Sequence, residues 1–403
     1  MSATLQTRQL DFAAPPFVQI LYRRALTIGI VFAILTVIGF AITPAATLRS
    51  WMIGFMLCLG LTLGPLGFLM LWHVTGGRWG VPIRRILEAA TRTIPLVTIY
   101  FLPILFGAKV LYAWARSIPA EDHHLQEIHE RWLNLGGFTI RAIIYFAVWW
   151  TLILVLNRWS ADQDKPHETR YLDKLAAVSA IGVILYFGTM TFASIDWVMS
   201  LLPGWNSTIY ALAVVVGQGL TALCLCAIVS RYMVEYTPVQ PLLSRNEFHD
   251  MGKLMFTFVM LWGYMNFSQW LISWAGNLPE EIHWYLLRLR GGWENVAVFL
   301  AVFHFCVPFA ILLSSGLKQS PRKLALVATW LFFMRYVDLY WNIAPAHYPD
   351  HWHYGWQDAV VPIAMVSLWV AFFAFNLKSR PVIALHDPRT EIALAEAEEH
   401  HHE

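Results

Sequence analysis

Several ionisable side chains lie inside long apolar runs, and proton transfer is the chemistry that their types favour. Arg335 and Asp338 are three residues apart, so a helix brings them to one face. His304 lies in the middle of another apolar run, and imidazole exchanges protons near neutral pH. A charge at the centre of a spanning helix costs about 2.5–3.5 kcal/mol, so each is a candidate functional residue. The alternatives are mutual neutralisation of Arg335 and Asp338, and a backbone hydrogen bond for His304.

Two sets of candidates follow from the expected depth of each residue in a membrane. The set that could form a proton path or lie near a quinone consists of Asp196, His304, Arg335, Asp338, Lys109 and Arg141. Lys109 and Arg141 are expected to extend outward to the interface. The inner-boundary set consists of His73, Glu88 and Arg92, and an interfacial position is expected for all three.

No pattern of cofactor ligands is present in the sequence. There is no CxxCH for covalent haem and no CxxC…C spacing for an iron–sulfur cluster. His73 and His304 fall at different depths, so they cannot bind one haem b between facing helices. The four cysteines are expected to be small core residues; they are Cys58, Cys224, Cys226 and Cys306. We therefore expect that this chain holds no haem, cluster or metal site.

The composition places these residues in a membrane protein. Of the 403 residues, 58% are hydrophobic and only 13% are charged, about half the usual charged fraction of a soluble domain. The 20 tryptophans suit helices anchored at two interfaces. A net charge of +2 gives no indication of nucleic-acid binding.

Runs of about 20 apolar residues predict ten spanning helices. They lie near residues 25–43, 51–73, 93–114, 138–156, 175–195, 207–229, 254–275, 294–315, 324–342 and 357–376. The first run is too long for the hydrophobic segment of a signal peptide. These spans define a cytoplasmic N-terminal segment (1–24), an all-α transmembrane domain (25–376) and a cytoplasmic C-terminal tail (377–403).

The distribution of Lys and Arg predicts that both termini lie inside. The termini and the loops on their side carry 20 of these residues, whereas the opposite loops carry 5. Such a bias is the positive-inside signal, and it depends on the number of helices as well as their direction.

Two outer loops and the tail have further features. In Asn277–Gly292, Asn277 suits a helix cap and Ile282, Tyr285, Leu286 and Leu289 share one face. In 119–133, Leu125, Ile128 and Trp132 do the same. Both helices are expected to lie on the membrane surface or to contact a partner subunit. The Ala/Glu-rich end is expected to be solvated, and no role is assigned to His400, His401 and His402.

Three segments resemble the membrane subunits of the NrfD/polysulfide-reductase superfamily, in particular the ActF type of bacterial alternative complex III. The first is Asp196-Trp197-Val198-Met199-Ser200-Leu201, continued by Trp205 and Ser207-Thr208-Ile209-Tyr210. The second is Gln269-Trp270-Leu271-Ile272, followed by Asn277-Leu278-Pro279-Glu280-Glu281. The third is Arg335-Tyr336-Val337-Asp338-Leu339-Tyr340-Trp341. The resemblance extends over nearly the whole chain.

This resemblance implies two four-helix bundles, formed by helices 2–5 and 6–9 and flanked by helices 1 and 10. It implies a subunit of a quinol oxidoreductase in the bacterial cytoplasmic membrane, which passes electrons to cytochrome c or a terminal oxidase in a respiratory or photosynthetic chain. The implied partners are the sister ActC-type subunit, subunits that hold iron–sulfur clusters and haem c, and lipid. This chain would carry no redox centre itself.

One departure from the family bears on quinone. In the ActC type a histidine and an aspartate near the outer face serve the quinol ring. Here Asp196 or Asp338 could supply the carboxylate, but no predicted span has a histidine in its outer half. A structural and proton-conducting role is therefore expected rather than quinol oxidation by this chain.

Two other functions are compatible with the pattern. A secondary transporter is the first, because Pro103 and Pro308 lie five helices apart, as in an inverted repeat. However, the first and sixth helices have no matching Gly/Pro interruptions. The second is a structural anchor without a conducting path.

Overall fold

The computed structural model describes residues 12–116, 132–164, 171–236, 239–384 and 387–402. Every regular element within these ranges is a helix, in agreement with the predicted class. In this part of the chain nine helices are long and apolar enough to cross a membrane. The chain therefore has the character of a multi-pass membrane protein.

The first helices of the chain are α1 (Pro16–Ile42), α2 (Pro44–Thr75), α3 (Arg84–Thr91), α4 (Ile94–Phe106), α5 (Ala108–Leu111), α6 (Leu135–Gln163) and α7 (Tyr171–Trp197). They are followed by α8 (Thr208–Met233), α9 (Arg245–Gly276), α10 (Pro279–Leu286), α11 (Trp293–Leu300), α12 (Val307–Leu312), α13 (Ser315–Lys318), α14 (Pro321–Ile343), α15 (Trp356–Lys378) and α16 (Pro388–His402). The π-helical turn Ala301–Cys306 joins α11 to α12. We call α2–α7 the first helix group and α8–α14 the second helix group.

Nine of the ten predicted spans coincide with the nine apolar helices. Helices α3 and α4 together form one of them, and α11, the π-turn and α12 form another. The predicted span 254–275 lies within α9, which has 32 residues but is not among the nine. Asn266 and Gln269 contribute to the lower hydropathy of α9.

Helices α2 and α8 lie at the centre of the fold. Helix α2 packs against α7, α8 and α15, and α8 packs against α9 and α14. They approach closely at Gly64, where a Cβ atom would lie only 2.2 Å from the carbonyl oxygen of Gln218. Helix α1 packs along α15 and leaves most of its own surface exposed.

The cysteine prediction is correct for three positions and wrong for the fourth. Cys58, Cys224 and Cys226 are buried, whereas Cys306 is exposed on the surface of the π-turn. The turn directs His304 inward and leaves Cys306 on the opposite side.

The predicted outer helix is present as α10. Asn277 does not cap it; instead Asn277 ends α9 in the left-handed conformation, with φ of 46°. Tyr285 is buried, whereas Leu286 and Leu289 are exposed. The other amphipathic segment, 119–133, lies outside the described residues except for its last two positions.

The segment after α15 is partly packed into the protein. The Val382 amide donates to the Phe12 carbonyl, and Val382, Ile383 and Ala393 are buried. Of these, only Ala393 lies in the Ala/Glu-rich end, 391–403, for which solvation is predicted, and that prediction is wrong at this position. The side chains of His400, His401 and His402 lie outside the described part.

Candidate functional site: buried ion pairs and an unbonded histidine

Asp196 is held at the end of α7 by four hydrogen bonds. Arg141 donates through Nε to Oδ2 at 2.8 Å and through Nη2 to Oδ1 at 2.9 Å. The Tyr145 hydroxyl donates to Oδ2 at 2.8 Å and the Trp132 indole donates to Oδ1 at 2.9 Å. The Arg141 guanidinium also lies over the Trp132 ring, 4.2 Å from its centroid. This carboxylate is fully buried and fully bonded, so Arg141 is an ion-pair partner rather than a side chain extended to the interface.

Arg335 and Asp338 form an ion pair one turn apart on α14. Both are buried at 4% exposure. The carboxylate of Asp338 also accepts, at 3.4 Å, from the Asn342 amide. The guanidinium has little room on its other side, because a Cβ atom at Gly217 would lie 2.0 Å from its Nη2. Nε of Arg335 has no partner among the described residues.

His304 is buried in the π-turn, and no described residue bonds to either ring nitrogen. Its ring lies against the indole of Trp262, with centroids 4.0 Å apart and planes tilted by 31°. Single π-turns within α-helices occur frequently at functional sites. Trp262 therefore lies between two features of the site: it contacts His304, and with Asp338 it lines one small cavity.

A small cavity lies beside the second ion pair. Its volume is about 30 Å³, and its walls include Trp262, Asn266, Gln269, Arg335 and Asp338. A water needs about 10–15 Å³, whereas ordinary ligand pockets begin near 300 Å³. The cavity fits water and does not fit a quinone ring.

Arg288, which sequence reasoning missed, closes the outer side of this region. It is 1% exposed and has no carboxylate partner among the described residues. Its guanidinium donates to the carbonyls of Trp341, Asn342 and Trp284 at 3.2, 2.8 and 2.9 Å. These carbonyls end α14 and α10, where the helix dipole favours a cation. Burial lowers the pKa of Arg288 to about 9.

A second buried network joins helices of the first helix group at the ends that the predicted topology places inside, and we call it the inner network. Glu88 accepts from Arg84 at 2.8 Å and from Arg85 at 2.7 Å. Arg84 also pairs with Asp387, and Arg85 pairs with Asp164. The interfacial depth expected for Glu88 stays a prediction; within the protein its side chain is fully buried. Sequence reasoning missed these four partners, although the spacing of Arg84, Arg85 and Glu88 on one helix is a signal that could have identified the first two.

The remaining candidates do not join either outer site. His73 is also buried within the protein, and its Nδ1 lies 3.0 Å from the hydroxyl of Ser179. Arg92 bonds to the Asn376 carbonyl at 2.6 Å and to Ser379. Lys109 is exposed near the outer end of its helix.

Within the described ranges, no three or more His, Cys, Asp and Glu side chains are grouped so that they could hold a metal ion. The fold and these sites define a helical, multi-pass membrane protein with buried charge networks at both ends of its helices. No protein-family model matches the sequence, and no curated protein is similar to it.

Proposed function

We propose that this chain is a membrane subunit of a bacterial quinol oxidoreductase complex of the alternative complex III type. In this role it is a scaffold and a proton conductor, and partner subunits hold the iron–sulfur clusters and haem c. The sequence resemblance supports the class of complex. The observation that supports proton conduction is His304, a fully buried histidine near the Arg335–Asp338 pair whose two ring nitrogens have no partner in the part of the chain that the structure describes. Buried Asp, Glu and His side chains are the usual components of proton relays in membranes.

Buried hydroxyl and amide groups lie between this site and the inner network. They occur as three bonded pairs: Thr62 with Thr93 at 2.7 Å, Asn157 with Thr91 at 3.0 Å, and Tyr186 with Gln218 at 2.7 Å. Gln218 follows Gly217, which contacts Arg335. These groups support a route from Glu88 to Asp338 that would include ordered water between the pairs.

The small cavity supports a role other than quinone oxidation. A space of about 30 Å³ beside Asp338 admits water and excludes a ring. Quinone oxidation is therefore assigned to the sister ActC-type subunit.

The proposed topology has ten spans, two four-helix bundles (helices 2–5 and 6–9), and both termini in the cytoplasm. Helix α9 supplies the tenth span: its 32 residues correspond to about 48 Å, more than the roughly 30 Å of a bilayer core. A reporter that is active only in the cytoplasm should be active when fused after Glu403. A silent reporter there would exclude this topology.

Purification under mild conditions tests the class of complex. The chain should bring subunits with multiple haems c and iron–sulfur clusters, and the chain alone should show no haem absorbance. A chain that purifies alone and binds a small solute would instead indicate a secondary transporter.

The His304→Gln complex tests proton conduction. It should assemble normally but release fewer protons per electron or turn over more slowly. An assembled His304→Gln complex with an unchanged rate and an unchanged proton-to-electron ratio would show that protons do not pass through His304. Scaffolding would then be the only role that remains for this chain.

A further inference from the structure

The two outer aspartates occupy matching positions in the two helix groups. Asp196 ends α7, the last helix of the first group, and Asp338 lies near the end of α14, the last helix of the second. A proline follows each at the same distance, Pro203 and Pro345. Each helix also continues into a 3₁₀ turn at the same end.

The local hydrogen bonding is the same at both positions. Ser200 lies four residues after Asp196 and donates its hydroxyl to the Asp196 backbone carbonyl. Asn342 lies four residues after Asp338 and donates its amide to the Asp338 carbonyl at 2.8 Å. The two helix ends are therefore built alike.

The inner ends match as well. A Gly-Leu-Thr sequence occurs in α2 and in α8, ending at Thr62 and Thr221. The same number of residues separates Thr62 from Glu88 as separates Thr221 from Glu247. Both glutamates are buried, and each pairs with an arginine. An internal repeat of a four-helix unit accounts for these shared landmarks, as in other membrane proteins built from repeats.

The repeat assigns His304 a counterpart in the first group. Paired glycines lie near the start of α6 and of α11, at 136–137 and 291–292. Counted from these glycines, Trp149 corresponds to His304. The Trp149 indole donates to Thr189 at 2.9 Å, whereas neither nitrogen of His304 has a partner among the described residues.

The two copies differ in how their aspartate is held. Asp196 receives both Arg141 bonds from a neighbouring helix and two more from Tyr145 and Trp132. Asp338 receives a single guanidinium bond from its own helix, at a position where the first copy has Ala193. Each acceptor position of the Asp196 carboxylate faces a donor, so protonation of Asp196 would break one of its four hydrogen bonds.

From these differences we infer that the two aspartate sites are copies of one ancestral site and that only the second still exchanges protons. In the first copy, Arg141 and Tyr145 have turned the site into a structural contact. In the second, His304 takes up and releases a proton, Asp338 balances its charge, and Trp262, which contacts His304, lines the water-sized cavity beside Asp338. No electron moves at this site. This assignment rests on the proposed proton-conducting role.

Infrared difference spectroscopy tests the assignment without electron transfer. The purified protein, with whatever partners it retains, is shifted from neutral to acidic pH and the imidazole and carboxyl bands are recorded. We expect the wild-type protein to show an imidazole band that His304→Gln removes, and a carboxyl band that Asp338→Asn shifts or removes. Asp196→Asn, the matched variant of the first copy, should leave both bands unchanged.

Two results would overturn the inference: an unchanged spectrum for His304→Gln, or loss of the carboxyl band in Asp196→Asn. Asp338→Glu, which keeps the carboxylate, and the double variant Arg335→Gln/Asp338→Asn provide folded alternatives if Asp338→Asn is unstable. The outcome is independent of the class of complex. If no redox subunits copurify, the proposed function fails while these bands still identify the exchanging copy.

Discussion

Separating Arg335 from Asp338 should cost far more than removing both charges. Asp338→Asn removes the only carboxylate that the described structure provides for the Arg335 guanidinium, which is 4% exposed. Leaving a buried charge without its partner costs about 3–5 kcal/mol, a factor of roughly 100 to several thousand in the folded-to-unfolded ratio. Arg335→Gln should cost less, because Asn342 still donates to Asp338 and a carboxyl group can become neutral by taking up a proton.

The double variant Arg335→Gln/Asp338→Asn should lie within about 1 kcal/mol of the wild type, because a buried neutral pair avoids the desolvation penalty. The coupling free energy of the cycle is then at least about 2–4 kcal/mol, because the cost of Arg335→Gln adds to it. It can be measured by unfolding in mixed micelles of mild and denaturing detergent, followed by tryptophan fluorescence.

The pair Asp250–Lys253 is a matched control for this cycle. It has the same three-residue spacing and an N–O distance of 3.0 Å, but its side chains are 48% and 57% exposed. Exposed pairs typically contribute 0.2–1 kcal/mol, so its coupling should be small. Equal coupling in the two cycles, or additive effects at Arg335 and Asp338, would show that burial does not set the strength of the Arg335–Asp338 pair.

Three further predictions concern other parts of the chain. Gly217→Ala should displace the Arg335 guanidinium and lower the free energy of unfolding by about 1–3 kcal/mol. Gly188→Ala is the control: no atom lies within 4 Å of its new Cβ, so it should be neutral or slightly stabilising in the same assay. Asp387→Asn should lower the melting temperature and increase proteolysis after α15, because its carboxylate is buried against an arginine of α3. Burial and two nearby arginines lower the pKa of His347 to about 3, against 6.5 when the chain is unfolded. Acidification below about pH 6.5 should therefore destabilise the folded protein, because the unfolded chain binds a proton at His347 that the folded protein does not. In melting curves, His347→Gln should make the stability less dependent on pH.

The helical class and nine of the spans could be predicted because they depend on hydropathy along the chain. The polar helix α9 shows the limit of that signal. Asn266 and Gln269 line the small cavity beside Asp338. The polar side chains that contribute to the candidate site are therefore the same ones that lower the hydropathy of α9.

The partners of the charged residues could only in part be predicted. Arg335 and Asp338 are neighbours on one helix, so their spacing identifies them as a pair. Arg141 and Asp196 lie on different helices, and Arg84 and Asp387 are about 300 residues apart, so their pairing depends on packing that no local pattern encodes. Arg288 was missed because its partners are backbone carbonyls, which every residue has.

The bond between Asp387 and Arg84 has a consequence for biosynthesis. Asp387 follows the last apolar helix in the chain, so the ribosome makes it only after every apolar helix has been synthesised. Until then the buried arginine of α3 lacks one of its two carboxylate partners. A polypeptide that is released before Asp387 is made would keep an arginine that lacks this carboxylate partner. Membrane proteases that recognise incompletely assembled proteins would then distinguish it from the full-length chain. Because Asp387 is translated last, the inner network is complete only in a chain in which all the apolar helices have been made.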